Sequence, residues 1–524
     1  MFEAHNIYTV KQKVVFDSFD FSEGFIKTSP SLSIHEQIID DLEDGYRMHV
    51  DADYKVVIKA SNPRGFNYAR RLIKKTLAEQ HYLWVGRYDA KPSFPIRGII
   101  EGFYGEPWSH EDRLDMLTFC DEFQLNAYMY APKDDLFHRD FWRDPYPKDT
   151  LEKIAVYIEQ AHQRNIDFYY CISPGKDFHY NKSEDIEALN AKVDQISALG
   201  CRHFCLLMDD IDYTLASDDQ AAFETPGKAH AYIANTLLKH LENHIEHPIL
   251  ILCPTEYWQN YDTPYRQDIR QSLHPKIHVF WTGYNTIAEF IPNEDGQVVQ
   301  ESFQHPLVLW DNYPVNDVTQ DLIFLGPLVN RGDALHQTHV GMVANPMIQW
   351  HLSKLALMTM AEYMWNTHTY HSENAYQGAL RSLVQNRKSL VEDLSLLVEN
   401  FRYSILSYDT DDGLEKAILD KDIATLAAYY QNVIEAVQRL KQEFINPFMT
   451  QLEPWIKRLF WDHELLIAIK QEDHAIIQAK IQELPTLTHT VGTNYVVKLA
   501  KALGYYEGPV YKKQRINFWE ANHA

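Results

Sequence analysis

Between Pro95 and residue 345 the chain repeats one pattern: a short unbroken apolar run, then a polar stretch whose apolar positions recur at helical spacing. The runs are 96–102, 127–130, 167–171, 203–208, 249–253, 277–281, 307–310 and 341–344. Apolar runs without alternation read as strands buried on both faces, as in a parallel sheet covered by helices. Between them, Ser109 with Asp112 resembles a capping box opening a helix that ends near Phe123. Ser183 opens another, with Ile186, Leu189, Val193 and Ile196 on one face and Gly200 as its stop. Eight strand–helix units over this length predict a (β/α)8 barrel; the stretch 281–306, between strands six and seven, is the least regular.

Two other patterns flank the barrel. A β-branched run at 54–60 is followed by Ser61-Asn62-Pro63 and by a helix over 64–80, with Tyr68, Leu72, Ile73 and Leu77 on one face. The segment 88–95, holding Pro92 and Pro95, reads as a linker. Beyond residue 371 the strand signals stop. Leu414, Ile418, Ile423, Leu426, Val433, Val437 and Leu440 mark a helical bundle of four to six helices. The expected fold class is α/β: a small α/β domain at 1–92, a TIM barrel at 93–370, and an all-α helical domain at 371–524.

Composition narrows the function classes. Hydrophobic residues at 45% and charged residues at 23% exclude a disordered or fibrous chain. No apolar run approaches the roughly 20 residues of a membrane span, and MFEAHNIYTVKQ lacks the basic start and apolar core of a secretory signal. The net charge of −24 repels phosphate backbones, so nucleic acid is not an expected partner. Five cysteines without a CxxC pair suggest reduced thiols and a cytoplasmic setting. Neither HExxH nor GxxxxGK[ST] occurs, so neither a metal nor a cofactor is expected.

Barrel enzymes carry their chemistry where strands end, and here the strand ends are rich in it. They read Glu101-Gly102-Phe103-Tyr104-Gly105, Ala131-Pro132-Lys133-Asp134-Asp135, Met208-Asp209-Asp210-Ile211-Asp212, Cys253-Pro254-Thr255-Glu256-Tyr257, Trp310-Asp311-Asn312-Tyr313 and Asn345-Pro346, with Asp317 shortly after strand seven. Adjacent carboxylates in a cleft cannot both ionise easily, so one holds its proton more tightly. A protonated carboxylic acid and an ionised carboxylate are the pair that glycoside cleavage uses. The competing reading of Asp209-Asp210 is a solvated acidic loop; a calcium loop lacks support because the distal glutamate and glycine are missing. Lys133 reads as a donor to a substrate hydroxyl or as an ion-pair partner of Asp134 or Asp135. Phe103, Tyr257 and Trp310 read as sugar-stacking platforms or as core. Asn312, Asp317 and Asn345 have the hydrogen-bonding reach that sugars need or act as loop caps. Gly102 lets a ligand approach the backbone or permits a turn.

Taken together, EGFYGEPWSHEDR (101–113), LNAYMYAPKDD (125–135), CLLMDDID (205–212), CPTEYW (253–258), LWDNYPVND (309–317) and VANPM (343–347) resemble family 84 of the glycoside hydrolases. This family holds β-N-acetylglucosaminidases, including protein O-GlcNAcase and hyaluronidase-like enzymes. The resemblance implies a retaining exo-β-N-acetylglucosaminidase that works by substrate assistance: the substrate's own 2-acetamido oxygen attacks the anomeric carbon and forms an oxazoline. It implies that Asp209 orients the acetamido group through its N–H and that Asp210 is the general acid and then base. Tyr257 and Asn312 would support the acetamido group and reacting centre. Gly102, Lys133, Asp317 and Asn345 would bind sugar hydroxyls, and Trp310 would wall the pocket. It also implies a GlcNAc-bearing glycoside or glycoprotein as substrate and a homodimer through the C-terminal helices. Two rival readings stand beside it: hydrolysis with Glu256 as an enzyme nucleophile, and a GlcNAc-binding protein without catalysis.

Overall fold

A computed structural model of the chain describes residues 6–21, 26–212, 214–407 and 410–510. Seven strands precede the barrel: β1 (Asn6–Val15), β2 (Ser18–Asp20), β3 (Lys27–Ser29), β4 (Ser33–Ile38), β5 (Tyr46–Val50), β6 (Lys55–Ala60) and β7 (Tyr82–Ala90). Five of them form one sheet in the order β1-β7-β5-β6-β4, with β2 and β3 paired separately. The helix Pro63–Gln80 lies against this sheet through Tyr68, Ala69, Ile73 and Leu77. Asn62 caps it by accepting from the backbone N–H groups of Arg64 and Gly65. The predicted run at 54–60 begins one residue later than expected, because Tyr54 has a φ of 59° and lies outside the strand region. The predicted linker at 88–95 is corrected: residues 88–90 complete β7, which is hydrogen-bonded to both β1 and β5, and Pro92 and Pro95 follow only after that strand ends.

The next eight strands are β8 (Ile96–Glu101), β9 (Ala127–Tyr130), β10 (Asp167–Ile172), β11 (His203–Leu207), β12 (Ile249–Cys253), β13 (His278–Trp281), β14 (Leu307–Asp311) and β15 (His339–Ala344). They close a barrel in chain order, β15 returning to β8, and every neighbouring pair is parallel. The expected barrel is therefore the observed one. Alternate strand residues fill its interior, among them Ile100, Met129, Tyr169, Cys205, Ile251 and Phe280. The others face the surrounding helices in a core that continues into the helical region after residue 371.

The details of the connections show where periodicity alone falls short. Ser109 caps the helix His110–Glu122 by accepting from the Asp112 N–H at 3.0 Å, as its motif predicts. Ser183, by contrast, is the first helical residue; Lys182 holds the cap position and supplies no side-chain bond. The irregular stretch before β14 contains the helix Asn293–Phe303. Among the described residues beyond 371, seven α-helices form, more than the four to six expected. Short helices such as Asp412–Leu419 and Tyr495–Ala502 offer only two turns, too few for periodicity to separate them from loops.

A buried polar joint connects the N-terminal sheet to the base of the barrel. Asp44 accepts from Arg97 Nη2 at 3.0 Å and from Asn126 Nδ2 at 2.7 Å, and Arg64 Nη1 lies 3.5 Å from its other oxygen. Arg97 is fully buried and also donates to the carbonyls of Phe94, Pro95 and Gln124. Burial by itself would raise the Asp44 pKa, but Arg97 and Arg64 outweigh it and hold the carboxyl below its ordinary value. Asp44→Ala leaves the Arg97 guanidinium uncompensated and is expected to cost about 3–5 kcal/mol in denaturant unfolding. Because the folded-state pKa is depressed, this stabilisation is present above the unfolded carboxylate pKa of about 4. It is lost as pH falls through the folded value, so the gap between wild type and variant should narrow in acid.

Candidate active site

The nine strand-end residues to which the resemblance gives site roles all line one cavity at the C-terminal mouth of the barrel, with a volume of about 1030 Å³. Gly102 follows β8, Lys133 follows β9, Asp209 and Asp210 follow β11, and Tyr257 follows β12. Trp310 lies on β14 and Asn312 just past it, Asp317 opens a short 3-10 turn, and Asn345 is the first residue after β15. The barrel thus gathers residues from six strands onto one rim, which no local segment could do.

The two aspartates have different surroundings. Asp209 is buried, and its Oδ2 accepts from Lys133 Nζ at 2.8 Å. Lys133 therefore pairs with Asp209 rather than with its chain neighbours Asp134 or Asp135. Burial pushes the Asp209 carboxyl up, but the Lys133 ammonium and its hydrogen bond, with Arg139 beyond, bring the net pKa below the ordinary value. The other oxygen, Oδ1, is buried and has no hydrogen-bond partner among the described residues. Asp210 has a φ of 53°, a left-handed conformation in which aspartate is one of the few tolerated side chains. Its exposed carboxylate accepts from Tyr104 Oη at 2.8 Å and from Tyr257 Oη at 3.1 Å.

The remaining side chains are linked across the rim. Asn312 Oδ1 accepts from both Trp310 Nε1 at 3.0 Å and Asn345 Nδ2 at 2.8 Å, while Asn312 Nδ2 donates to the Thr286 carbonyl at 2.7 Å. Asn345 Oδ1 accepts from the Gly102 N–H at 3.3 Å. Asp317 Oδ2 accepts from the Tyr104 N–H at 2.8 Å, and burial raises its carboxyl pKa. A Cβ added at Gly102 would lie 2.5 Å from Trp310 Cζ2, a rigid ring atom. Gly102→Ala is therefore expected to displace the indole and with it the Asn312 amide. A misplacement near 1 Å lowers kcat/KM by about 100-fold, measurable by steady-state kinetics on a chromogenic glycoside.

Tyr104 and Arg139 were not singled out from the sequence. Arg139 Nη1 donates to Tyr104 Oη at 2.9 Å, so a guanidinium backs the phenol that meets Asp210. Burial pushes the Tyr104 hydroxyl up to about 12, keeping it a hydrogen-bond donor at neutral pH. Tyr104 stands in the first strand-end motif, two residues after Gly102, so its position was a signal; Arg139, six residues past Lys133, had none. Of the three aromatic platforms considered, Phe103 is core: it is buried, and its ring centroid lies 5.5 Å from that of Trp108. Glu256 lines the cavity, but its carboxylate accepts from Gln259 Nε2 at 3.0 Å and from Thr263 Oγ1.

Comparison with known proteins gives consistent likenesses. A family model described as beta-N-acetylglucosaminidase matches residues 97–399. Protein O-GlcNAcase from Rattus norvegicus is 35% identical over 272 residues, which are 51% of this chain and 29% of that protein. The Mus musculus protein O-GlcNAcase gives the same figures: 35% identity over 272 residues, 51% of this chain and 29% of that protein. The match thus spans less than a third of the length of these curated relatives. Among solved structures, a mutant O-GlcNAc hydrolase from Thermobaculum terrenum superposes with a TM-score of 0.72 at 29% identity, covering 78% of this chain and 94% of that one. The protein CpGH84B superposes with a TM-score of 0.74 at 26% identity, covering 88% and 86% respectively.

Proposed function

The chain belongs to the beta-N-acetylglucosaminidase family of glycoside hydrolases, and from that premise we propose that it is a retaining exo-enzyme that releases terminal β-linked GlcNAc through an oxazoline intermediate. The observation that carries this reading is the buried, unpartnered Oδ1 of Asp209. A carboxylate held ionised by Lys133 and offering one unpaired acceptor fits an acetamido N–H, and burial of Asp209 strengthens that contact. With the N–H held there, the acetamido oxygen is turned toward the anomeric carbon. Tethered attack of this kind has a large effective molarity and replaces a protein nucleophile. As the oxazoline forms, the positive charge spread over its ring lies beside the Asp209 carboxylate.

In this reading Asp210 acts at the other end of the broken bond. Protonated, it gives its hydrogen to the leaving oxygen; ionised, it takes one from the water that opens the oxazoline. Tyr104 and Tyr257 donate to the ionised carboxylate and orient it between the two steps. Lys133, Asp317, Asn345 and the backbone at Gly102 meet the sugar hydroxyls, and Trp310 closes one wall. The chemistry needs no cofactor. GlcNAc-bearing glycosides or glycoproteins are the substrates, and the five free, buried cysteines fit a reducing, cytoplasmic setting.

The decisive experiment uses the acetamido group itself. A chromogenic GlcNAc glycoside should be hydrolysed with retention, and the matching glucoside should not. A thiazoline mimic of the oxazoline should bind at least about 100-fold more tightly than substrate. Comparable turnover of the glucoside would favour Glu256 as a nucleophile instead, although Gln259 and Thr263 already donate to one of its oxygens, Oε2. Binding of GlcNAc with no turnover would leave only the non-catalytic reading.

A further inference from the structure

The helices Ser183–Ser197 and Pro226–Glu242 flank β11 on the outer wall. Both run antiparallel to the strands, so their last turns lie at the end of the barrel remote from the cavity mouth. Three metal-ligating side chains meet there: Asp194 from the first helix, His240 and His244 from the second and the turn that follows it. One ligand atom from each lies within 4.8 Å of the others. His244 follows the last helical turn, and its ring centroid lies 5.1 Å from that of His240. His240 Nε2 lies 2.7 Å from Asp194 Oδ1.

We propose that Asp194, His240 and His244 form a binding site for a divalent transition-metal cation of the zinc class. Two imidazoles and one carboxylate are a ligand set suited to zinc, nickel or copper, whereas calcium and magnesium require oxygen donors. Tetrahedral zinc with bonds of about 2.0–2.1 Å holds its ligand atoms about 3.3 Å apart. The trio reaches that spacing by side-chain rotation, which is open to Asp194 and His244 because both are exposed. The C-terminal ends of two helices converge at the site, and each carries the negative pole of its dipole, which favours a cation. Water completes the coordination. Bound metal would tie together the two helices that bracket the strand leading to Asp209 and Asp210, so its effect is on stability, at a distance from the cavity.

The test uses untagged, metal-stripped protein. Titration with Zn2+ followed by calorimetry should show one high-affinity site per chain, and the thermal midpoint should rise with Zn2+ concentration but not with Mg2+. Loss of even an outer-sphere partner costs about tenfold in metal affinity, so His244→Ala and Asp194→Asn should each lose at least that. Near-UV circular dichroism of these surface variants should stay unchanged, which separates loss of a ligand from loss of the fold. No zinc-dependent rise in the wild type, or a rise that His240→Ala and His244→Ala both retain, would overturn the site.

Discussion

Asp210→Ala is expected to separate substrates by their leaving groups. On an unactivated alkyl or peptide GlcNAc glycoside, the leaving oxygen must be protonated as the bond breaks, and positioned proton transfer is worth about 10²–10⁴-fold. The variant should lose that much in kcat/KM. A nitrophenolate leaves without a proton, so hydrolysis of nitrophenyl GlcNAc should fall far less in kcat/KM. Opening of the oxazoline then becomes slow for want of a base, and azide should restore kcat by attacking without needing deprotonation. Asp210 is exposed, and the hydroxyls of Tyr104 and Tyr257 that donate to it border a large cavity where water can replace it; the cost to the fold should be about the 1–2 kcal/mol that alanine loses at the left-handed φ of 53°. Equal losses on both substrates, with no azide rescue, would remove Asp210 from the role of general acid and base.

Asp209 is expected to behave differently in both respects. Its proposed contact is with the acetamido group and the oxazoline, which every substrate shares. Asp209→Asn should therefore lower kcat by about 10²–10³-fold, with little dependence on the leaving group. Asp209→Ala should also destabilise the protein, because Lys133 Nζ, buried and 2.8 Å from Asp209 Oδ2, loses its counter-charge. Breaking a buried pair costs about 3–5 kcal/mol. The reciprocal change, Lys133→Met, tests the same pair through pH. In the wild type, burial raises the Asp209 pKa, and Lys133, with Arg139 beyond it, more than reverses that, so the carboxylate stays ionised further into acid. Without Lys133 the main influence that lowers the Asp209 pKa is gone, so the acid limb of kcat/KM should move to higher pH. An unmoved acid limb would show that ionised Asp209 is not what the reaction requires.

The parts of this site differ in how visible they were in the chain. Six of the eight strand ends carry site chemistry, nearly all of it within four residues of an apolar run, as Asp209 and Asp210 do after His203–Leu207; Asp317, six residues past β14, is the exception. Once a barrel is inferred, its geometry places all such ends on one rim. That is why nine residues chosen from six separate segments line a single cavity. Aromatic residues in the same segments were harder to sort, because a ring suits a sugar wall and a packed core equally well: Trp310 reaches the cavity, and Phe103 packs against Trp108.

Strand periodicity, caps such as Ser109, and the strand-end clusters are local properties. They follow from burial on both faces of a parallel sheet and from side chains meeting nearby backbone groups, so the order of residues was enough to establish them. Pairings across the barrel are not local. Lys133 and Asp209 are 76 residues apart, and Tyr104 and Asp210 are 106 apart. Which carboxylate Lys133 neutralises, which oxygen of Asp209 stays without a partner, and how Arg139 comes to stand behind Tyr104 all depend on closing eight strands into a ring. Burial and charge at these atoms exist only after that closure, and the folded barrel alone settled them.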